Sequence, residues 1–468
     1  MKIGIIGGGP LAIEMSLRLT TLGAEVSIFS PSLGGKTKLF EEENLSVKST
    51  EKMTGTWSEI TTHAGRKVLT DQNGESNDAL FDTELTPSIS EYWEKYLKPL
   101  SKFIQKKVTH IRGTVLRVHK RFLDLDEEIE GRTRLFDLFR VVYLINPNED
   151  SFSEKSLDKK TLDSLGDDVI NSLKTPMEQF NDFDIVIDAS GVLGNPKKMG
   201  PSSTLALNES SLSLKEKVFY GIESFKSLLP LKENIKKLTI IGSGESSGKL
   251  LLNVKDLIEK ESMQVSLVTT EDEAFQKILK SPKQDSFLKE LNDFLEERKV
   301  SFENKRTSFE KSLREWRDLE DYMKAKIPRP QEPSKNPAFF CGFNATSVDK
   351  LIDREEVFVT IEDAPFRGNS NSIKTISCDK VAVLTGYECS HHLFGGLKAD
   401  FSASKKQTSS DNGLHPNEPG FYTLGPVNNK KSQSDHSGAG QRYKLHDGLE
   451  QLKVIEDNIL SFFTKVGD

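Results

Sequence analysis

Two short stretches of this 468-residue chain have the residue types and spacing to hold phosphate groups. The first is Gly7-Gly8-Gly9-Pro10-Leu11-Ala12, and the second is Gly242-Ser243-Gly244-Glu245-Ser246-Ser247. A glycine at the start allows a tight turn. A second glycine lets backbone approach a pyrophosphate, and a small residue lets the following helix pack close, with its N-terminus toward the anion. In the first stretch Gly7, Gly9 and Ala12 take these roles, with Pro10 and Leu11 between them.

Such turns need a strand before them and a helix and strand after them. Around the first, Lys2–Ile6 is a short apolar run, Ile13–Leu22 is amphipathic, Gly23 stops it, and Glu25–Phe29 reads as a second strand. Around the second, Leu238–Ile241 reads as a strand, a helix runs through Leu250–Ile258, and Val265–Val268 is the next strand. Each unit has a later buried-type strand ending in small residues, Asp184–Gly191 and Asp379–Tyr387, as a ligand at the carboxyl edge of a parallel sheet requires. The loop Ser30-Pro31-Ser32-Leu33-Gly34-Gly35-Lys36 follows the first unit. Its glycine doublet could let backbone run beside a flat cofactor, or form an ordinary turn.

Elsewhere, Trp57–His63 shows few periodic cues and reads as loop, while Ile89–Phe103 has helical spacing. The runs Val108–Val118, Phe122–Leu125 and Leu135–Leu144 alternate, predicting a three-stranded meander, and Ser151–Phe180 reads as a polar surface excursion. Phe287–Lys326 is a charged helical stretch ending at Pro328-Arg329-Pro330, with its charges on a solvated face. Phe339–Val348 and Val357–Ile361 resume strand patterning, and 401–418 reads as a polar loop. Pro419–Pro426 predicts a last strand and turn, before a helix from about Tyr443 to Phe463.

A net charge of −7 argues against a nucleic-acid or anionic-membrane surface. No apolar run approaches the roughly 18 residues of a membrane span, and Gly7–Gly9 interrupts any signal-peptide layout. The three cysteines, Cys341, Cys378 and Cys389, include no C-x-x-C pair, so neither a redox dithiol nor a thiolate metal site is expected. No histidine pair has metal-ligand spacing within a helix, and no metal is expected. The reading is a soluble cytoplasmic protein with a small-molecule substrate and no nucleic-acid partner.

With these motifs in place, the chain resembles the two-dinucleotide-binding-domain flavoproteins, the superfamily of thioredoxin-reductase-like enzymes and flavin-containing monooxygenases. The resemblance implies an α/β fold of two Rossmann-like domains, with β-meanders and a charged helical insertion. It places a discontinuous FAD domain at residues 1–228 and 379–468, and an inserted NAD(P) domain at 229–378 with its helical insertion near 280–335. FAD is expected at Gly7, Gly9, Pro10, Leu11, Ala12, Ser30, Gly34, Gly35, Lys36, Gly191, Gly386 and Gly425. The nicotinamide cofactor is expected at Gly242, Gly244, Glu245, Ser246 and Ser247.

Ser30 stands where an acid normally holds the ribose hydroxyls, so that contact could come from backbone or Lys36. Thr269-Thr270-Glu271-Asp272 offers no arginine for a 2′-phosphate, which favours NADH over NADPH. Phe219-Tyr220-Gly221-Ile222-Glu223-Ser224-Phe225 is similar to the Phe-x-Gly-x-x-x-His fingerprint of flavin-containing monooxygenases, with Phe225 in place of the histidine. His63, His391, His392, His436 and His446 fall in segments that the superfamily places near the flavin. His63, His391 and His392 are candidate proton carriers, or else ordinary loop histidines. The implied activity is an FAD-dependent oxidoreductase using NAD(P)H, with monooxygenation leading. A reductase or oxidase, or a flavin-binding protein without turnover, stands as the alternative.

Overall fold

β1 (Lys2–Ile6) has one exposed lysine followed by four buried residues, and β2 (Glu25–Phe29) repeats that pattern. Strands of this kind are covered on both faces. The computed structural model describes residues 1–35, 37, 53, 55–73, 81, 84–126, 129–130, 133–145, 176–280, 286–351, 353–363, 372–399, 413–415, 417–425 and 445–467. The chain forms two compact units. One comprises Met1–Gly194 and the described residues from Cys389 onward, and the other spans Asn195–Glu388.

In the first unit, α1 (Pro10–Thr21) connects β1 to β2, which lie parallel with Ile3 opposite Val26. Trp57–Ile60 is helical, where the sequence read as loop, and His63–Asn73 forms a further helix. The first has a capping box, with Glu59 reaching back to the Thr56 N–H at 2.8 Å. The Ile89–Gln105 stretch is helical with a π-helical turn at Trp93–Leu97, which buries Trp93, Tyr96 and Leu97.

β3 (Thr109–Ile111) joins β2 in parallel, so it belongs to the main sheet and not to the meander. The meander consists of β4 (Thr114–Lys120), β5 (Phe139–Ile145) and β6 (Met177–Phe183). Phe122–Leu125 is no strand, because the Asp137 carboxylate accepts from the N–H groups of Phe122 (3.0 Å) and Leu123 (2.9 Å) and turns the chain there. The expected excursion therefore ends in a meander strand, and residues 151–175 lie outside the described set. β7 (Ile185–Asp188) returns to the main sheet beside β1.

The second unit has β8 (Val218–Tyr220), β9 (Lys237–Ile241), β10 (Gln264–Thr269) and β11 (Ala338–Cys341). Gly342 (φ +78°) then breaks the predicted Phe339–Val348 strand. β12 (Phe343–Lys350), β13 (Val357–Asp363) and β14 (Ile373–Cys378) form a separate antiparallel sheet. β15 (Lys380–Val383) lies parallel between β8 and β9, giving the order β11-β10-β9-β15-β8. The sequence reading places the domain boundaries at 228/229 and 378/379. β8 and β15 complete the second sheet, so the units part near 194/195 and 388/389. The charged stretch forms a helix from Ser286 to Arg317 and a short one at Asp321–Lys324.

The chain then returns to the first unit through β16 (Phe421–Thr423), which pairs with β7 and closes the order β16-β7-β1-β2-β3. The C-terminal helix Leu445–Gly467 follows. One face of this sheet packs against α1 and the other helices through Ile3, Ile5, Ile187, Leu452 and Ile455. The opposite face meets the meander through Ile6, Phe29, Val141 and Phe421.

Two buried polar groups hold these layers. Glu14, in α1 and fully buried, accepts from Thr62 Oγ1 at 2.7 Å and from the Tyr96 hydroxyl, and burial pushes its carboxyl upward. Glu418, also inaccessible, accepts from Arg134 Nε at 3.1 Å and the Lys398 N–H at 2.7 Å, with Lys120 Nζ 3.7 Å away. Among the described residues, no helix is long and apolar enough to cross a membrane.

Candidate dinucleotide sites

In the first unit, β1 ends at Gly7, whose N–H donates to the Phe29 carbonyl at 2.9 Å. On its other side the Ala189 N–H donates to the Ile6 carbonyl at 2.8 Å. Gly7 has φ +111°, and a Cβ there would stand 2.3 Å from the Ala189 carbonyl oxygen. Both space and backbone conformation therefore demand glycine at this position.

Gly9 differs. It caps α1 with φ −73° and ψ −179°, no side chain caps the helix, and among the described residues beyond its chain neighbours nothing lies within 4 Å of a Cβ built on it. The helix N-terminus thus opens onto free space, bounded by Pro10 at the first helical position and by buried Leu11 and Ala12. Loop 30–35 folds back over the turn, with the Gly34 N–H donating to the Gly8 carbonyl at 2.7 Å. Gly34 (φ +99°) lies against the Trp93 ring, and a Cβ on Gly35 would come 3.1 Å from Gly9 Cα. Gly191 (φ +67°) has open space beside it at the end of β7. After β16, the Gly425 N–H donates to Gln451 Oε1 of the C-terminal helix at 3.0 Å. Lys36 lies outside the described residues.

The second unit repeats this plan. The Gly242 N–H donates to the Val268 carbonyl at 2.8 Å, and the Leu384 N–H to the Ile241 carbonyl at 2.8 Å. Gly242 has φ +112°, with its absent Cβ 2.5 Å from the Leu384 carbonyl oxygen. Gly244 caps the helix Glu245–Asn253, again with no side-chain cap and nothing within 4 Å of an added Cβ. Glu245 pairs with Lys249 at 2.6 Å, Ser246 is half-buried, and Ser247 is fully buried with its hydroxyl unpartnered. Gly386 (φ +96°), expected with the FAD domain, follows β15 in the second unit.

At the end of β10, Ser243 Oγ and Thr269 Oγ1 are 2.8 Å apart, and Thr269 Oγ1 accepts from the Glu271 N–H at 3.1 Å. Glu271 Oε1 is 3.3 Å from Lys277 Nζ, while Oε2 is buried without a partner. A buried carboxylate oxygen lacking a donor is a costly arrangement that a ligand hydroxyl would relieve.

The candidate proton carriers are not brought together. His63 begins a helix whose Leu69 packs into the helical face of the first sheet, whereas His391 and His392 lie in the turn His391–Phe394, whose Phe394 packs on the meander face. His63 and His392 are exposed. His391 is half-buried, and burial together with neighbouring His392 lowers its pKa. His446 Nδ1 lies 3.3 Å from the Glu59 carbonyl, and His436 is outside the described residues. Phe225 is buried in the second unit and fills a core position. Among the described residues no group of three or more His, Cys, Asp or Glu side chains could hold a metal.

Two residues beside the first turn escaped the sequence reading. His110 reaches Ser30 from β3; its one signal was a run that read as meander. Asp188, at the carboxyl end of β7, is 1% exposed; Oδ1 accepts from the Ser190 N–H at 3.0 Å, and Oδ2 has no partner. Burial raises its pKa from 3.8 to about 6. Between these values the folded protein holds this proton where the unfolded chain has released it, so the contribution of Asp188 to stability is full below pH 4 and is lost as pH rises through 6. A shift of this size corresponds to ~3 kcal/mol at neutral pH. Asp188→Asn should therefore gain stability over wild type at pH 7, a gain that vanishes near pH 4. Urea unfolding of the cofactor-free proteins at both pH values checks this, and a difference independent of pH would contradict it.

No protein-family model and no curated protein matches the sequence. Solved structures do match its fold. A bacillithiol disulfide reductase from Staphylococcus aureus aligns with a TM-score of 0.51 at 13% identity, covering 98% of each chain. An ornithine N-hydroxylase from Kutzneria sp. 744 aligns with a TM-score of 0.51 at 12% identity, covering 100% of this chain and 99% of the other. With two parallel sheets, two open glycine turns and this end-to-end likeness, the chain has the fold of the two-dinucleotide-binding-domain flavoproteins.

Proposed function

We propose that this protein is an FAD-dependent oxidoreductase that draws electrons from a reduced nicotinamide dinucleotide, with NADH preferred. The observation that carries the reading is the repeated cradle. Gly7 and Gly242 are locked against neighbouring backbone, while Gly9 and Gly244 leave open space at uncapped helix N-termini. Gly7, Gly9, Leu11 and Ala12, with Gly34, Gly35 and Gly191, would hold FAD. Gly242, Gly244, Ser246 and Ser247, with Gly386, would hold the nicotinamide dinucleotide. Bound FAD supplies a two-electron carrier between reduced nicotinamide and a final acceptor, chemistry that no side chain provides.

Glu271 supports NADH. Its unpartnered Oε2 can accept a ribose hydroxyl, and its charge opposes a 2′-phosphate. The acceptor we favour is oxygen, with insertion into a small molecule. The three thiols offer no C-x-x-C dithiol: Cys341 and Cys389 are half-buried, and Cys378 is buried with its thiol pushed to about 11. The Kutzneria hydroxylase, solved with reduced FAD, NADP+ and L-ornithine, is a monooxygenase on this fold. A second reading, reduction without oxygen insertion, is favoured by Phe225 in the fingerprint histidine position and by the reductase neighbour.

Anaerobic mixing of the FAD-loaded protein with NADH or NADPH, followed by oxygen, tests both parts. We expect flavin bleaching at least tenfold faster with NADH, and peroxide release well below one per turnover once the correct small molecule is present. Faster bleaching by NADPH contradicts the cofactor preference. Stoichiometric peroxide with every candidate substrate favours the second reading.

A further inference from the structure

A buried group of aromatic side chains adjoins the first cradle. Trp93 rests against Gly34, in the loop that folds over the glycine turn. Tyr92 and Tyr96 have ring centroids 5.6 Å apart, and Trp57 is 6.3 Å from Tyr92. Phe81 bridges Trp57 at 5.4 Å and Tyr96 at 5.6 Å. All five are buried, and rings in contact can exchange an electron without moving.

Tyr96 differs from its neighbours in having somewhere to send a proton. Its oxygen accepts from the Thr62 N–H at 3.0 Å, so its own hydrogen is directed to Glu14 Oε1. Thr62 Oγ1 accepts from the Gly65 N–H at 3.0 Å and therefore donates to Glu14 Oε2 at 2.7 Å. With both oxygens accepting, Glu14 is the ionised form, a base already hydrogen-bonded to the phenol. Tyr96 and Glu14 are fully buried, and burial raises the affinity of Glu14 for a proton. By contrast, the Tyr92 hydroxyl and Trp93 Nε1–H are buried without a partner. Their rings can pass an electron, yet no acceptor stands ready for their protons.

We propose that Tyr96 is a redox-active tyrosine that yields one electron, through this aromatic group, to a one-electron oxidant in the first cradle. The oxidant there is oxidised FAD excited by light. The Tyr96 O–H bond breaks, the electron passes to the oxidant, and the proton moves along the existing hydrogen bond to Glu14 Oε1. A neutral phenoxyl radical is left beside a neutral carboxylic acid. Return of the electron reverses both transfers. The relay rests on the flavoprotein reading above, and it goes further by giving the helices behind the cradle a role in one-electron chemistry.

Two oxidations of the full chain test this, one by illuminating the FAD-loaded protein and one by azide radicals on the FAD-free protein. In both, electron paramagnetic resonance should show a tyrosyl radical that outlives those of Tyr96→Phe at least tenfold. Its formation in wild type should slow at least twofold in D2O, because the proton moves in the same step. Glu14→Gln, which keeps an acceptor oxygen but takes no proton, should lose the long-lived signal. Tyr220→Phe should keep it, although Tyr220 also donates to a carboxylate, Glu209, at 2.7 Å in the second unit. Circular dichroism shows whether each variant is folded. A long-lived signal that survives in Tyr96→Phe or folded Glu14→Gln, or formation indifferent to D2O, would overturn the relay. So would a protein that binds FAD and gives the signal with azide radicals but none under light. A chain that gives the Glu14-dependent radical with azide yet binds no FAD would overturn the flavoprotein reading and leave the Tyr96–Glu14 pair standing.

Discussion

Replacing Gly9 with glutamate should leave a folded protein that no longer takes up FAD. The backbone at Gly9 has φ −73° and ψ −179°, a conformation open to any residue. Among the described residues beyond its chain neighbours, no atom lies within 4 Å of an added Cβ, so the change displaces none of them. The new side chain occupies the space over the N-terminus of α1, and its charge takes the place of a phosphate there. Loss of those contacts should weaken binding by at least about 100-fold, or roughly 3 kcal/mol. Gly9→Gln separates bulk from charge and should lose less. Flavin fluorescence titration alongside circular dichroism reads both quantities. Unchanged FAD affinity in a folded Gly9→Glu protein would contradict the assigned seat.

Gly7→Ala should do the reverse and cripple the fold. The same motif contains both glycines, yet Gly7 sits at φ +111°, where an alanine is strained. Its methyl would also meet the Ala189 carbonyl oxygen at 2.3 Å and Ser190 Cα at 2.8 Å. Relief requires β1 and β7 to separate, which breaks the hydrogen bond from the Ala189 N–H to the Ile6 carbonyl. Strain plus displaced backbone should cost ~4 kcal/mol, lowering the melting temperature by roughly 10 °C for a unit of this size. Gly242→Ala should act likewise on the second unit, since its Cβ would lie 2.5 Å from the Leu384 carbonyl oxygen. Thermal melts followed by circular dichroism measure this; wild-type melting of Gly7→Ala would show that the turn relaxes at little cost.

The elements legible from sequence were those with local signals. β1, α1 and β2 announce themselves through an apolar run, a glycine turn and a helical period within Lys2–Phe29, and β9 and β10 do the same. Pairing choices were not legible, because a parallel strand finds its partner far away in sequence. β8 and β15 are three and four residues long, and only their register, Val381 opposite Val218 and Thr239, shows which unit they complete. β3 was assigned to the meander for the same reason, which hid His110.

The glycines of the two cradles were legible, since backbone geometry restricts the residue type. Ser30 is expected among the FAD residues, but its contact with His110, 80 residues away, leaves no local signal. Asp188 was read as a strand residue, because a fully buried carboxyl with an unpartnered oxygen leaves no mark on sequence pattern. Trp57–His63 read as loop because a four-residue helix is too short to show periodicity.

The central claim is that one chain holds two dinucleotides in two separate cradles. The most direct measurement is the visible absorption spectrum of the full chain with excess FAD removed, before and after anaerobic NADH. Wild type should retain one FAD per chain and bleach with NADH. Gly9→Glu should be colourless, while Gly244→Glu should stay yellow and fail to bleach. A wild-type chain that stays colourless after incubation with FAD, or a Gly244→Glu chain that bleaches as fast as wild type, would contradict the account.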